Sequence, residues 1–212
     1  MIGGDDPRIA CAYNFAHPEV RAERLAIIEE VCDRYDADGL EIDDYVRVYF
    51  KPAEVKQNTA ILTDFMRDVR DPLNRIGREH GHQMCLAARV QPLEAANFAV
   101  GMDVRTWVSE KLVDLLIPSS GGQEAGFVDN SPYAEWLVEV AHEAGAWVYF
   151  RPGASPYDDR HHRATVEMYR AMSSVYRHVG QMAFTLRTCP GHTRHRSTLY
   201  CAKWGPRYWS PL

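Results

Sequence analysis

The feature that most constrains this chain is a regular alternation of short apolar runs with amphipathic segments of helical period. Strand-like runs and helix-like segments follow one another about five times, and neither an internal repeat nor a linker divides them. The predicted strands span residues 9–13, 39–43, 83–90, 113–117 and 146–151. Alternation of this kind predicts a parallel sheet whose strands are joined by right-handed helical crossovers.

Local signals place the helices between these runs. Pro18 suits the first position of a helix that continues to about Tyr35. Asn58 and Thr59 are expected to cap the next helix, which Pro72 should kink or break. The other predicted helices span residues 93–98, 104–111, 132–144 and 161–178.

Polar residues cluster after several predicted strands, and this distinguishes between parallel folds. An open doubly wound sheet usually carries a G-x-G-x-x-G loop after its first strand, whereas Gly121-Gly122 lacks that spacing. Chemistry spread over many strand ends is typical of a (β/α)8 barrel, which needs eight strands and about 250 residues. The chain has 212 residues and five predicted strands. We therefore predict the α/β class and a partial (β/α)8 TIM barrel containing about strands 3 to 7.

Composition and charge exclude several classes of partner. The formal net charge of −5 provides no basic field for nucleic acid, and no apolar run approaches the roughly 18 residues that a membrane helix needs. Residues 1–6 show no signal peptide, so the expected location is cytoplasmic by default, unless preceding residues are missing. The five cysteines show no C-x-x-C spacing, and we expect neither a bound metal nor another cofactor.

Two motifs at a fixed separation resemble a known family. The segments N-F-A-H-P-E-V-R at 14–21 and Y-D-A-D-G-L-E-I-D-D-Y at 35–45 resemble the glycoside-hydrolase-like family 10 proteins. Those proteins show N-P-x-H-P-E-V-R, a helix, and then Y-D-V-D-G-I-x-x-D-D-Y. Residues 101–107 and 112–119 also look like bacterial members of this group. The resemblance covers roughly residues 10–179, with Phe15 in place of the usual proline.

The resemblance implies a bacterial glycoside-hydrolase-like barrel that acts on a poly- or oligosaccharide. In the family, the first motif follows barrel strand three and the second forms strand four, so strands one and two are expected to be missing from this chain. Residues 1–180 are then a partial barrel domain, and its exposed edges predict self-association. Residues 181–212 form an atypical tail, for which a shifted reading frame is our hypothesis.

The carboxylates of 37–44 are the candidate catalytic groups. If Leu40 and Ile42 face the helices, strand alternation directs Glu41 and Asp43 to the barrel lumen. Residues two apart on a strand suit the carboxyl spacing of either retaining or inverting glycosidases. Asp44 matches the second aspartate of the family and is expected at the rim. The structural alternatives are that Asp43 and Asp44 cap a loop or pair with Arg47, and that Glu41 pairs with Arg89.

The remaining candidates would bind substrate. One group is a set of three arginines, Arg47, Arg89 and Arg151. They could form a cationic floor for an anionic sugar, or else internal salt bridges to Glu41 and Asp43. His17, after strand three, could bind substrate or cap its helix. The ring of Tyr149 could stack on a sugar, whereas Trp147 is expected in the core. The candidate substrate-binding residues are Asn14, His17, Arg47, Arg89, Ser119, Ser120, Tyr149 and Arg151.

Two other classes of function remain open from the sequence. One is a non-catalytic carbohydrate-binding barrel or an inactive fragment, because no second acid after another strand is evident. The other is a metal-dependent lyase or isomerase barrel with Glu41 and Asp43 as ligands. The lyase or isomerase is disfavoured because no histidine at a strand end accompanies these carboxylates.

Overall fold

A computed structural model describes residues 2, 12–35, 37–43, 48–118, 135–150 and 183–184. It combines a parallel sheet with α-helices, which confirms the predicted α/β class. The strands are β1 (Gly39–Ile42), β2 (Cys85–Val90), β3 (Leu115–Pro118), β4 (Trp147–Phe150) and the two-residue β5 (Ala183–Phe184). The helices are α1 (Pro18–Arg34), α2 (Val55–His80), α3 (Glu94–Ala99), α4 (Val104–Ser109) and α5 (Glu135–Ala144), with a 3-10 turn at Pro52–Glu54.

The strands lie side by side in the order in which they occur along the chain. The sheet order is β1-β2-β3-β4-β5, and every neighbouring pair is parallel. A doubly wound sheet instead reverses its strand order at a switch point. The described sheet contains no such reversal, so the chain advances across it in a single direction.

One face of the sheet carries the main core. Alternate strand residues on this face pack with apolar side chains of α2, α4 and α5, because successive side chains of a strand point to opposite faces. Burying each large apolar side chain stabilises the fold by about 1.5–3 kcal/mol. The strand residues in this core are Leu40, Leu86, Ala88, Val90, Leu116 and Val148.

The opposite face of the same sheet is apolar in its middle. Ala87, Leu115, Ile117 and Tyr149 form a second buried cluster, against which Cys85 packs. Strand alternation therefore works as the sequence predicted, with Leu40 on the helix side. Side chains of the second face are the ones that reach the candidate site.

Pro72 was predicted to kink or break its helix, and it does not break it, because α2 continues through this position. A proline inside a helix costs about 3 kcal/mol because it removes a hydrogen bond and crowds the preceding turn. Burial against the sheet offsets that cost, because Val69, Leu73 and Ile76 around the proline are fully enclosed. Tertiary packing here outweighs the local preference of one residue.

The start of α2 and the limits of the strands also differ from the predictions. A 3-10 turn from Pro52 leads directly into the helix at Val55, so Asn58 and Thr59 lie in its first turns and do not cap it. Thr59 Oγ1 donates to the carbonyl oxygen of Val55 at 3.2 Å. The fourth predicted strand, 113–117, is displaced toward the carboxyl end, because β3 spans Leu115–Pro118.

Some predicted helices and strands involve residues that the structure does not describe, or residues that were predicted to be a tail. The predicted helix 161–178 and most of the predicted strand 9–13 lie outside the described residues. Strand β5 lies within the segment that the sequence set apart as an atypical tail, and it pairs with β4. In the described part of the chain, no helix combines the length and apolarity needed to cross a bilayer.

Candidate functional site

Two carboxylates and one guanidinium meet at the carboxyl ends of β1 and β2. Arg89 Nε donates to Glu41 Oε1, and it lies 3.3 Å from Asp43 Oδ1. The Arg89 side chain is 12% exposed, that of Glu41 21% and that of Asp43 40%. The arrangement is thus graded, with Arg89 deepest and Asp43 nearest to solvent.

The register of the two strands explains this convergence. Glu41 lies opposite Ala87 and Ile42 opposite Ala88, so the next pair along the ladder is Asp43 with Arg89. Residues 41, 43, 87 and 89 share one face, and the small side chain of Ala87 leaves room for the long arm of Arg89. The predicted common face of Glu41 and Asp43 is therefore what the structure shows.

A glycine allows β1 to approach β2 this closely. A Cβ atom on Gly39 would lie 2.3 Å from the carbonyl oxygen of Cys85, which is far inside contact distance. The backbone of β1 can pair with β2 only because this position has no side chain. The glycine of the D-G-L-E-I-D-D motif thus has a structural role that brings the carboxylates to Arg89.

The terminal nitrogens of Arg89 differ from its Nε in their hydrogen bonding. Within the described residues, Nε has carboxylate partners, whereas Nη1 and Nη2 donate no hydrogen bond. A guanidinium has five N–H donors in a fixed planar fork, and four of them belong to these two nitrogens. Arg89 therefore has terminal donors that pair with no described residue.

Tyr149 lies on the same face in the same layer of side chains. Arg89 pairs with Ile117, and the ladder between β3 and β4 continues from Leu116 opposite Val148 to Ile117 opposite Tyr149. Two strand spacings separate the backbones of Arg89 and Tyr149 by about 10 Å. Tyr149 is only 3% exposed, so its ring offers no open surface for stacking on a sugar.

The environment of Tyr149 keeps its hydroxyl protonated. Burial raises the pKa of Tyr149 to about 12, and the nearby thiol of Cys85 adds to this effect. Trp147 contacts Tyr149 edge to face with ring centroids 6.3 Å apart, and it is 37% exposed. The expectation that Trp147 is a core residue is wrong, because it opens β4 at the amino end of the sheet.

Asn14 and His17 occupy the turn before α1. Asn14 is buried, and its Oδ1 accepts a hydrogen bond from Ala16 N at 3.0 Å, which closes the turn locally. His17 is the N-cap residue of α1 through its backbone, without a capping hydrogen bond from its exposed ring. Within the described residues, neither side chain contacts Glu41, Asp43 or Arg89.

The departure from the family motif at Phe15 has a structural explanation. Phe15 N donates to the carbonyl oxygen of Tyr49 at 2.8 Å, a bond that a proline could not make. The Phe15 ring meets Tyr49 and Phe65 edge to face, with centroids 5.3 and 5.2 Å apart. This contact joins the turn before α1 to the segment that follows β1 and Asp43.

Five of the predicted site residues cannot be located against this cluster. They lie outside the described residues and are Asp44, Arg47, Ser119, Ser120 and Arg151. Of the three arginines of the expected cationic floor, Arg89 is the one that the structure describes. Of its two predicted roles, Arg89 has the internal one, because it pairs with Glu41 and Asp43.

An arginine at the opposite end of the sheet was missed by sequence reasoning. Arg70 of α2 is buried and donates to Leu112 O at 2.9 and 2.7 Å, to Met84 O at 3.2 Å and to Asp114 Oδ2 at 2.6 Å. Asp114 Oδ2 also accepts from Leu86 N at 2.7 Å. The available signals were an arginine on the apolar stripe of a helix and an aspartate inside an apolar run.

A second missed residue shapes the chain immediately after Arg89. Asn97 is buried, its Oδ1 accepts from Gln91 N at 2.8 Å, and its Nδ2 donates to Gln91 O at 2.9 Å. Trp136 Nε1 donates to the carbonyl oxygen of Pro92 at 2.7 Å. These bonds hold Gln91 and Pro92, the two residues that follow β2, so the carboxyl end of β2 is fixed in place.

A pocket of about 420 Å³ lies elsewhere, at the carboxyl end of α2 and the amino end of β2. Leu73, Gly77, His82 and Met84 are among its lining residues. It is at the opposite end of β2 from Arg89. No group of three or more potential metal ligands occurs in the part of the chain that the structure describes.

Comparison with known proteins adds no assignment to this geometry. No protein family model matches the chain, and no curated protein matches its sequence.

Proposed function

We propose that this chain carries the carboxylate site of a carbohydrate-active (β/α) barrel of the glycoside-hydrolase-like type. The observation that carries the proposal is the convergence of Glu41, Asp43 and Arg89 at the carboxyl ends of adjacent parallel strands. Ligands of parallel α/β folds bind at the carboxyl ends of the strands, in barrels and in open sheets alike.

The winding of the sheet supports a barrel over an open doubly wound fold. Strands follow one another in chain order without reversal, and the helices between them share one face. A barrel requires this single direction of winding, with helices outside and a packed interior. The second apolar cluster, which includes Leu115 and Ile117, corresponds to such an interior, and the charged groups lie above it.

Asp43 is the residue proposed to meet the substrate. It is the more exposed carboxylate of the pair, and Glu41 is held by a direct hydrogen bond from Arg89. Glycosidases use two carboxyl groups, one as proton donor and one as nucleophile or base. In this proposal Asp43 acts on the glycosidic bond, and Glu41 with Arg89 fixes the position of its carboxylate.

A non-catalytic carbohydrate-binding barrel is the second candidate, and a specific observation favours it. Both described carboxylates already have a protein partner, because each lies within salt-bridge distance of Arg89. Binding of sugar hydroxyls needs no proton transfer. Under this alternative the same three residues bind a sugar without cleaving it.

The metal-dependent lyase or isomerase is the weakest alternative. Such a site would place a divalent cation between Glu41 and Asp43. The guanidinium of Arg89 already lies against both carboxylates, and a second positive charge there would be repelled. The proposed chemistry therefore uses the side chains alone.

Reducing-sugar release from a panel of polysaccharides tests the proposal. We expect release by the wild type and its loss in Asp43→Asn, which keeps the size of the side chain and removes its charge. Asp71→Asn is the matched control, because Asp71 is exposed on α2. Binding without release would support the second candidate, and neither binding nor release would overturn both.

A further inference from the structure

Asn97 is a polar side chain enclosed just beyond the carboxyl end of β2. It is 1% exposed, although it belongs to the short helix α3. Its Oδ1 accepts from Gln91 N at 2.8 Å, and its Nδ2 donates to Gln91 O at 2.9 Å and to Leu93 O at 3.0 Å. Both donors of the amide are therefore used. The bonds to Gln91 also fix the orientation of the amide, because a flipped amide would set two donors against each other.

The two bonds to Gln91 imitate those of an adjoining strand. A neighbouring parallel strand accepts from the N–H and donates to the C=O of one and the same residue. Asn97 does both for Gln91 with a single side chain. The ladders of β2 stop before this point, because pairing with β1 ends at Ala88 and pairing with β3 ends at Val90. Asn97 thus extends the support of β2 by one residue.

Arg89 lies between the end of the β1 ladder and this support. Its backbone follows the last residue paired with β1, and it pairs with Ile117 of β3 on the other side. Gln91 is two residues further, and residues two apart on an extended strand share a face. A change of twist at Gln91 would therefore turn the Arg89 side chain away from Glu41, whose Oε1 accepts from Arg89 Nε.

We propose that Asn97 is a positioning residue that holds Arg89 against Glu41 and Asp43. It bonds neither carboxylate within the described residues and acts through the backbone of Gln91. The inference rests on the proposed carbohydrate function only for its effect on ligand binding. The effect on Arg89 itself is independent of what the site binds.

The experiment follows the NMR signal of the Arg89 Nε–H in the full chain, identified as the signal that Arg89→Lys removes. The hydrogen bond to Glu41 slows exchange of this proton with solvent. Asn97→Asp keeps the size of the side chain and an acceptor for Gln91 N, but it sets a second acceptor against Gln91 O. We expect it to shift the Arg89 signal and to speed the exchange about tenfold, as expected from the loss of about one buried hydrogen bond.

A second variant tests the same loop from its other anchor. Trp136→Phe keeps an aromatic ring and removes the N–H that donates to Pro92 O at 2.7 Å. Because it removes one bond and leaves Asn97 in place, the exchange should be faster than in the wild type and slower than in Asn97→Asp. Wild-type exchange in both variants would overturn the positioning role.

Thr63→Val is the matched control. Thr63 Oγ1 accepts from Trp107 Nε1 at 3.2 Å, in a buried hydrogen bond between α2 and α4. Valine leaves that N–H unpaired, so stability should fall without any change in the loop after β2. Exchange is compared at urea concentrations that give the variants equal free energies of unfolding. Equal acceleration in Thr63→Val and Asn97→Asp would overturn the positioning role, because exchange would then follow global stability.

Sugar binding separates this inference from the proposed function. The probes are xylo-, cello- and galacturono-oligosaccharides of equal length. For a sugar that the wild type binds, Asn97→Asp should weaken binding about tenfold and Thr63→Val less than about twofold. Failure of every sugar to bind the wild type would overturn the carbohydrate function, and the exchange of Arg89 would still decide the role of Asn97. Unchanged exchange in Asn97→Asp would overturn that role and leave the carbohydrate function standing.

Discussion

Each end of the sheet pairs an arginine with acidic side chains, but the two arginines differ in how many of their nitrogens donate to described residues. At the amino end, Arg70 is enclosed by backbone carbonyls and by Asp114, which also accepts from a strand N–H. At the carboxyl end, the side-chain partners of Arg89 within the described residues are two carboxylates, and their exposure rises toward Asp43.

This difference separates an arginine whose three nitrogens all donate within the fold from one whose terminal nitrogens donate to no described residue. The amino-end network ties α2 to β2 and to the start of β3 through one side chain. The positive charge of Arg70 is balanced by the carboxylate of Asp114, and all three nitrogens of Arg70 donate to protein oxygens. Among the described residues, the carboxyl-end cluster has two carboxylates and one guanidinium, so its charge is not balanced within that set.

The largest effect is expected at the amino end. Asp114→Ala removes the carboxylate partner of Arg70, which is 8% exposed, and leaves Leu86 N without its acceptor. Breaking a buried pair by removing one partner costs about 3–5 kcal/mol because an uncompensated charge stays buried. Urea unfolding followed by circular dichroism measures the change.

The control for that measurement is Glu79→Ala. Glu79 pairs with Arg75 one turn away on the exposed side of α2, and such a pair contributes only about 0.3 kcal/mol. If Asp114→Ala cost no more than Glu79→Ala, the amino-end network would not hold the fold, and the contrast between the two ends would be lost.

Much of the fold could be predicted from the sequence because it depends on patterns that are local in the chain. Alternation of apolar residues placed Leu40 on the helix side and Glu41 on the other, and Pro18 marked the start of α1. Predictions failed where distant contacts decide. Pro72 stays inside a helix because the sheet buries its neighbours, a contact that no local pattern reveals.

The candidate site, like the fold, could be predicted only in part from the sequence. The D-G-L-E-I-D-D motif supplied the carboxylates, and strand alternation put Arg89 on their face. The partner of each group depends on the register between β1 and β2, which the sequence does not state. Arg70 was missed for the same reason, because its acceptors are distant in the chain and most of them are backbone carbonyls.

A smaller loss of stability is expected at the carboxyl end. Arg89→Gln removes the cation from Glu41 and Asp43, but both carboxylates are exposed enough to be hydrated in its absence. We expect a cost of about 1 kcal/mol, well below that of Asp114→Ala. The same urea unfolding series measures it. A cost equal to that of Asp114→Ala would mean that Arg89 is a structural residue like Arg70.

The smallest effect is expected in the titration of Cys85, which lies beside the amino-end network. The pKa of this thiol is raised from 9.0 to about 11, mainly by burial and also by the carboxylate of Asp114, while the guanidinium of Arg70 opposes the rise. Because the pKa is higher in the folded chain, Cys85 contributes stability below about pH 9 that is lost as the pH rises through about 11.

Asp114→Asn should therefore lower the pKa of Cys85, since it removes the negative charge that disfavours the thiolate. Glu41→Gln, at the other end of the sheet, should leave it unchanged. The rate of Cys85 alkylation against pH, followed by mass spectrometry of its peptide, measures the pKa in both variants and distinguishes Cys85 from the other cysteines. Equal shifts in the two variants would mean that the two ends are electrostatically coupled, which would contradict the separation of a structural end from a ligand-binding end.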